Sequence, residues 1–463
     1  MGVSALAAKK DVALDLTQGR TSVQLVRFAM PFMMGIVLQT LYNVVDMVIV
    51  GQYVGSEAMS AVSISGQLSM FFTNLCIGFS TGGQVMIAQY TGANLSERRE
   101  QAIGTLFTSI MSLSFVLMVL LFLCRGVFLG WLNTPAECWD QAMGYTLVSA
   151  LGLPFVYGYN CVCAVLRGMG DSKRPFWFIA VSAVTNLVLD LVFIVGLKMA
   201  AVGAALATVM AQALSFLLAA AFLWKHKERY GFHISKTFFR PAKKELVLLI
   251  KIGLPMALKS NAINLSIMFV NSYINAFGVA ASAASGAGTK VSNITHIITQ
   301  GLNLASSAMI GQNIGANKPD RVREVVKTSI CVNLVVFAFN AALMLIFPRQ
   351  LFGIFTRDPA VLEYAKLYMQ IAVIGDLASA LMSPCNALIE GSGHTTLALI
   401  IGILDGVFTR IVLSIVLGVT MEMGLMGFWL GNALARYTTA ILAGAYVISG
   451  RWAKGNAVLK TEK

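Results

Sequence analysis

Eight ionisable residues sit inside stretches that are otherwise apolar. The acids are Asp46, Asp190, Asp376 and Asp405, and the bases are Lys259, Lys290, Arg410 and Arg436. A charge in such a setting is costly unless it is paired or put to use. The most suggestive set is acidic. Asn186 and Asp190 are four residues apart, so on a helix they share a face. With Asp46 and Thr208 they supply two carboxylates, an amide and a hydroxyl, an oxygen set that could bind a small cation. Two carboxylates held close in a low dielectric could instead share a proton. The residues do not choose between Na⁺ and H⁺. A hydrogen-bonded knot that only ties helices together is the alternative, but it would not need two acids. Pro31 precedes Asp46 on the same stretch. Proline removes a helical hydrogen bond and favours a kink. A bendable helix bearing a titratable acid suits a switch, a static kink being the other reading.

The elements that must carry these residues follow from composition. The chain has 463 residues, 57% of them hydrophobic and only 12% charged, and its mean hydropathy is +0.75. A soluble globule, a disordered chain, a collagen, a coiled coil and a disulfide-stapled scaffold are all excluded. The apolar stretches run to about 20 residues or more, which suits membrane-spanning α-helices and not the short strands of a barrel. The expected fold is all-α and integral to the membrane. Twelve spans are read at 24–50, 60–89, 102–124, 142–166, 175–197, 200–224, 246–276, 283–312, 325–347, 362–389, 396–418 and 424–449. The predicted organisation is a tail over 1–23, a six-span lobe over 24–224, a basic linker over 225–245 that carries Pro241, a second six-span lobe over 246–449 and a tail over 450–463.

The net charge of +13 records orientation and not nucleic acid, since no basic helix or aromatic platform accompanies it. With both termini cytoplasmic, inside segments hold about 25 of the 34 basic residues, among them Arg98, Arg99, Lys173, Arg174, Lys243 and Lys244. Outside loops hold Arg125, Lys198, Arg349, Arg357 and Lys366. The expected location is the cell membrane, multi-pass. Met1 to Arg27 is polar and basic with no apolar region before a cleavage site, so no cleavable signal peptide is expected. Seven cysteines, an odd number without CxxC, read as buried inert thiols, and four scattered histidines make a metal site improbable.

The halves repeat. Gly78, Met86, Ile87, Gln89, Gly92, Ala93 and Asn94 recur at a constant offset as Gly301, Met309, Ile310, Gln312, Gly315, Ala316 and Asn317. LRGMGDS at 166–172 meets IEGSGHT at 389–395 in the same register, and Pro31 meets Pro255 one residue out of step. An even number of spans per repeat gives a parallel repeat about an axis along the membrane normal. In the first half, Asp190 lies about 22 Å along its span and Thr208 about 12 Å from the start of the returning one. Asp46 falls near the outer end of the first span, so the acidic set shares one depth. In the second half, Lys259, Asp376, Asp405, Arg410 and Arg436 fall near mid-span and suggest a paired charge network. An unpaired base there would disfavour cations and favour an anionic or zwitterionic substrate. Lys290 is near a span end and suits snorkelling.

The chain resembles the multidrug and toxic compound extrusion (MATE) family, most closely its bacterial DinF-like branch. The matching residues are Pro31, Gln39, Tyr42 and Asp46, then Asn186 and Asp190, then Thr208, with the AQYTGAN, GQNIGAN and LRGMGDS segments. The resemblance covers essentially the whole chain. It implies a V-shaped two-lobed fold, alternating access and export of organic cations and similar amphiphiles in exchange for H⁺ or Na⁺. It implies no cofactor and no enzymatic activity, with a monomer as the default. The NorM-like branch also uses acids in spans 7 and 10, whereas here span 7 carries Lys259 and no acid beyond Glu245 at its start, and Asp376 is about one turn displaced. Coupling should therefore reside in the first lobe at Asp46, Asn186, Asp190 and Thr208, the place for any Na⁺. Gln39, Tyr42, Asn43, Met70, Phe71, Tyr157, Asn160 and Asn264 are the expected substrate-cavity residues, since aromatic and Met walls suit varied hydrophobic cations. The rival reading is a flippase for lipids or lipid-linked oligosaccharides, which the bases of the second lobe keep open.

Overall fold

The computed structural model describes residues 14–233, 238–454 and 458. The first 13 residues of the expected tail, 234–237 of the linker, and 455–457 and 459–463 of the last tail lie outside the described residues. Twelve long helices and no strand are found among the described residues. In the first half they are α1 (Thr21–Tyr53), α2 (Ser56–Gly92), α3 (Ser96–Trp131), α4 (Trp139–Gly168), α5 (Lys173–Asp190, continued by π turns Leu191–Gly196) and α6 (Ala200–Lys225). The second half has α7 (Lys243–Asn275), α8 (Val279–Gly315), α9 (Pro319–Ile346), α10 (Ala365–Gly391), α11 (Thr395–Ile403, continued to Thr420 with π segments Leu404–Ile411 and Val416–Thr420) and α12 (Gly424–Ile448). Ten of the twelve are long and apolar enough to cross a membrane. The two that fall short, α8 and α12, owe it to polar residues such as Asn293, His296, Gln300, Asn432 and Arg436.

Contacts group the described chain into two units. The first holds residues 14–19, the described part of 34–249, and 311–317. The second holds 20–33, 250–310, and the described residues from 318 onward. Helix α1 passes from one unit to the other between Met33 and Met34, just after Pro31. Helix α7 does so between Leu249 and Ile250, ahead of Pro255.

In the first unit α4 is central, packed by α2, α3 and α6. Its small residues explain the fit. A Cβ on Gly144, Gly152 or Gly158 would overlap Val202, Val209 or Phe216 of α6. Between membrane helices, where lipid is as apolar as Leu, close approach through small residues supplies the packing energy. The second unit centres on α10, packed by α9 and α12, around a core that includes Val270, Met344, Phe352, Met369, Phe428 and Trp429.

The repeat read in the sequence is physical. Gly168 packs on the Gln84 carbonyl and Ile87, and its mate Gly391 packs on the Ser307 carbonyl and Ile310. Gly170 and Gly393 adopt φ of 87° and 81°, and Asn94 and Asn317 adopt 57° and 54°. Both pairs turn the chain out of a helix through the left-handed region. Within the first unit the ends of α2 and α8 interlock reciprocally. A Cβ on Gly92 would overlap the Gln312 carbonyl, and one on Gly315 the Gln89 carbonyl. Backbone cannot yield as a side-chain tip does, so Gly92→Ala is expected to destabilise by about 1–3 kcal/mol. Thermal unfolding of the purified protein in detergent checks this. The control is Gly66→Ala, where nothing lies within 4 Å.

The segment before α1 is anchored as well. Leu16 is fully buried. The Leu14 N–H donates to the Gly170 carbonyl at 3.1 Å. The Asn313 amide donates to the Leu16 carbonyl at 3.0 Å, and Gln312 Nε2 to the Gly168 carbonyl at 2.9 Å. After α6, the Tyr230 hydroxyl donates to Asp171 Oδ2 at 2.6 Å. Burial, then the Asp171 charge, pushes the Tyr230 phenol up, so its proton stays on. Arg98 and Tyr90 hold the buried Glu245 at the start of α7, at 2.5 and 2.9 Å.

Candidate functional site

Helices α1, α4, α5 and α6 bring a polar group together inside the first unit. Asn186 and Asp190, one turn apart on α5, are both buried. The Asn186 amide lies 3.4 Å from the Thr208 hydroxyl of α6. With its nitrogen facing an acceptor, it donates to Asp190 Oδ2 at 3.3 Å and accepts from the Thr208 backbone N–H at 3.3 Å. Asp46 on α1 is half-buried and close enough to Asp190 for the two charges to interact. One oxygen of each carboxylate, Asp46 Oδ1 and Asp190 Oδ1, is buried without a hydrogen-bond partner. Two oxygens on neighbouring carboxylates are thus left able to accept a further bond.

Around the acids lie residues of two kinds. Tyr42 interacts with the side chains of Gln39 and Gln212 and sits within electrostatic reach of both acids. Tyr145 of α4, with Ser149 beside it, is likewise near Asp46, Asp190 and Tyr42. Tyr145, Ser149 and Gln212 escaped the sequence reading. Their only signal is a polar residue on an apolar helix, and sequence cannot say which face of α4 or α6 meets α5. The π turns directly after Asp190 widen α5 where the acid must be held, a distortion common at functional positions.

The expected cavity residues divide. Gln39, Asn43, Met70 and Phe71 are exposed, and Asn264 is half-buried. Tyr157 is fully buried and its hydroxyl donates to the Phe72 carbonyl at 2.6 Å, so it packs the first unit and offers no surface in this structure. Asn160 turns its amide back to the Val156 carbonyl of its own helix at 2.9 Å.

In the second unit the charges form three pairs. Lys259 Nζ lies 3.2 Å from Glu390, a partner absent from the expected network. Arg410 Nη2 donates to Asp405 at 2.9 Å, its Nη1 donates to Asn432 at 2.9 Å, and Thr439 donates to the other Asp405 oxygen at 2.6 Å. Arg436 Nη1 reaches Asp376 at 3.3 Å and Ser379 at 3.1 Å. Arg410 and Arg436 are near enough to feel one another. No group of three or more His, Cys, Asp or Glu side chains with metal-site geometry occurs among the described residues. All seven cysteines are unpaired, and five are buried; Cys331, expected to be buried, is exposed.

The chain is similar to known proteins over nearly its whole length. The MatE family model matches residues 31–192 and 255–438. The probable multidrug resistance protein YoeA of Bacillus subtilis is 28% identical over 424 residues, 90% of this chain and 92% of that protein. The probable multidrug resistance protein NorM of Thermotoga maritima is 26% identical over 448 residues, 95% of each. A solved outward-facing multidrug resistance MATE family transporter of the MOP superfamily superposes with a TM-score of 0.90 at 22% identity, covering 96% of this chain and 98% of that one.

Proposed function

The chain belongs to the MatE family, and on that premise we propose that it is a secondary active exporter of small amphiphilic molecules, driven by antiport of H⁺ or Na⁺ through the acidic cluster of the first unit. The relatives' names support multidrug export. What carries the coupling reading is the pair of orphaned carboxylate oxygens, Asp46 Oδ1 and Asp190 Oδ1, beside Asn186 and Thr208. A purely structural knot would need neither the second acid nor their closeness. Ion binding at Asp46 changes the charge of the one helix that passes between units just after a proline, which links ion occupancy to conformation. Transport is thus a gradient-driven change of conformation, with no enzymatic step and no cofactor. Lysine and arginine placement supports cytoplasmic termini in the cell membrane.

The flippase reading is weakened, because Lys259, Arg410 and Arg436 each have a carboxylate partner. The test is uptake of a cationic dye into proteoliposomes holding the purified protein, under an imposed H⁺ gradient and separately a Na⁺ gradient. One gradient is expected to drive accumulation and the other to have little effect. Flux that ignores both gradients would remove the antiporter.

A further inference from the structure

The three bases of the second unit are not used alike. Arg410 is shut away, with its side chain 4% exposed, bonds to Asp405 and Asn432 on separate Nη atoms, and its Nε buried without a partner. Arg436 is 18% exposed and makes all its hydrogen bonds through Nη1. Its contact with Asp376 is single and long for a guanidinium–carboxylate pair, which favours two parallel bonds at about 2.7–2.9 Å. The edge formed by Nε and Nη2 is therefore unused. Asp376 is also incompletely used, since its Oδ2 is buried without a partner.

A polar face of α8 lies near Arg436. On α8 the polar residues Thr289, Asn293, His296 and Gln300 recur at spacings of four and three, so they share a face. Thr289, Asn293 and Gln300 are exposed, and His296 is close enough to Arg436 and Arg410 to feel both charges. Exposed amides in mid-span are tolerated only where they line a water-filled space. The repeat mates of Asn293 and Gln300 are Met70 and Ile77, both exposed. The mates of Thr289 and His296 are Gly66 and Thr73, so it is the two exposed amides that the first half lacks and that the fold does not require.

We propose that Arg436 is a specificity-determining residue that receives the carboxylate of a transported amphiphile on its free Nε/Nη2 edge, beside the polar face of α8. A carboxylate matches that edge in shape, charge and number of bonds, whereas an ester offers only a single neutral carbonyl acceptor and a simple cation none. Asp376 stays on Nη1 and keeps the guanidinium oriented, and the neighbouring Arg410 charge offsets the second carboxylate. The substrate range then extends to anionic and zwitterionic amphiphiles. The inference rests on the exporter reading for its consequence in transport, but binding itself can be measured without any gradient.

The experiment uses the purified full-length protein in detergent and follows fluorescence polarisation of two dyes, a rhodamine with a free carboxylate and its methyl ester. Arg436→Gln is expected to weaken the acid by about tenfold or more while leaving the ester within about twofold. Arg436→Lys, which keeps the charge and loses the fork, is expected to recover only part of the acid affinity. Equal loss for acid and ester, or no loss for either, overturns the proposal. Because Arg436→Gln strands Asp376, the double variant Arg436→Gln/Asp376→Asn is measured alongside, and it should show the same selective loss. Gradient-driven flux of the ester is recorded separately. If it is absent while the acid still discriminates, the exporter reading fails and the carboxylate site stands.

Discussion

Asp46→Asn is expected to reduce gradient-driven dye accumulation to the level of protein-free vesicles, with thermal stability and dye binding retained. The substitution preserves shape and removes only the charge and its titration. It strands no hydrogen-bond partner, because the buried Asp46 Oδ1 has none. Folding therefore has little to lose, in contrast to the loss of a charge from a buried ion pair. Transport has everything to lose, since a gradient moves substrate only if the ion binds one conformation better than another. Asp190→Asn should give the same loss of flux with a modest effect on stability, because the Asn186 amide would lose a charged acceptor near 3.3 Å. The measurement is initial uptake under the driving gradient, with polarisation of the bound dye as the companion. Wild-type flux in Asp46→Asn would remove that residue from the coupling mechanism. Loss of dye binding together with flux would assign it to the substrate instead.

The acids of the first unit were legible in the sequence because helical spacing and direction suffice to place them. Asn186 and Asp190 are one turn apart, and depth alone predicts their meeting with Thr208, as observed. The duplicated glycines were legible for a similar reason. A position that admits no Cβ keeps its register in both halves, as at Gly168 and Gly391. Rotation of a helix about its axis is what sequence withholds. Tyr145 and Gln212 reach the acids, while Tyr157, just as aromatic, turns inward to the Phe72 carbonyl. Lys259 was grouped with other mid-span charges, yet its partner Glu390 comes from the end of α10, because a lysine spans more than a turn of depth and carries its charge away from its own Cα.

A second kind of withheld detail concerns Asp405 and Arg410, and it leads to a large expected effect on stability. In an α-helix, residues five apart point about 140° away from each other. In the π segment Leu404–Ile411 the turn is wider, at roughly 4.4 residues, and the same two side chains come within about 50°. The helix is thus distorted in the segment where a buried carboxylate meets a buried guanidinium at 2.9 Å. Arg410→Leu leaves Asp405 in apolar surroundings with Thr439 as its remaining hydrogen-bond donor. Breaking one partner of such a pair costs about 3–5 kcal/mol, and a bilayer offers no water to lessen it. The variant is expected to show a sharply reduced folded yield and a much lower Tm in detergent. Arg410→Leu/Asp405→Leu removes both charges and should recover most of the loss, since an apolar pair of similar volume replaces a satisfied ion pair at little cost. Arg436→Leu should be milder, because its pair with Asp376 is single and its side chain is more exposed than that of Arg410. A Tm for Arg410→Leu equal to that of the wild type would show that the pair does not hold the π segment. Failure of the double variant to recover would show that the widened turn depends on the charges themselves and not only on their mutual neutralisation.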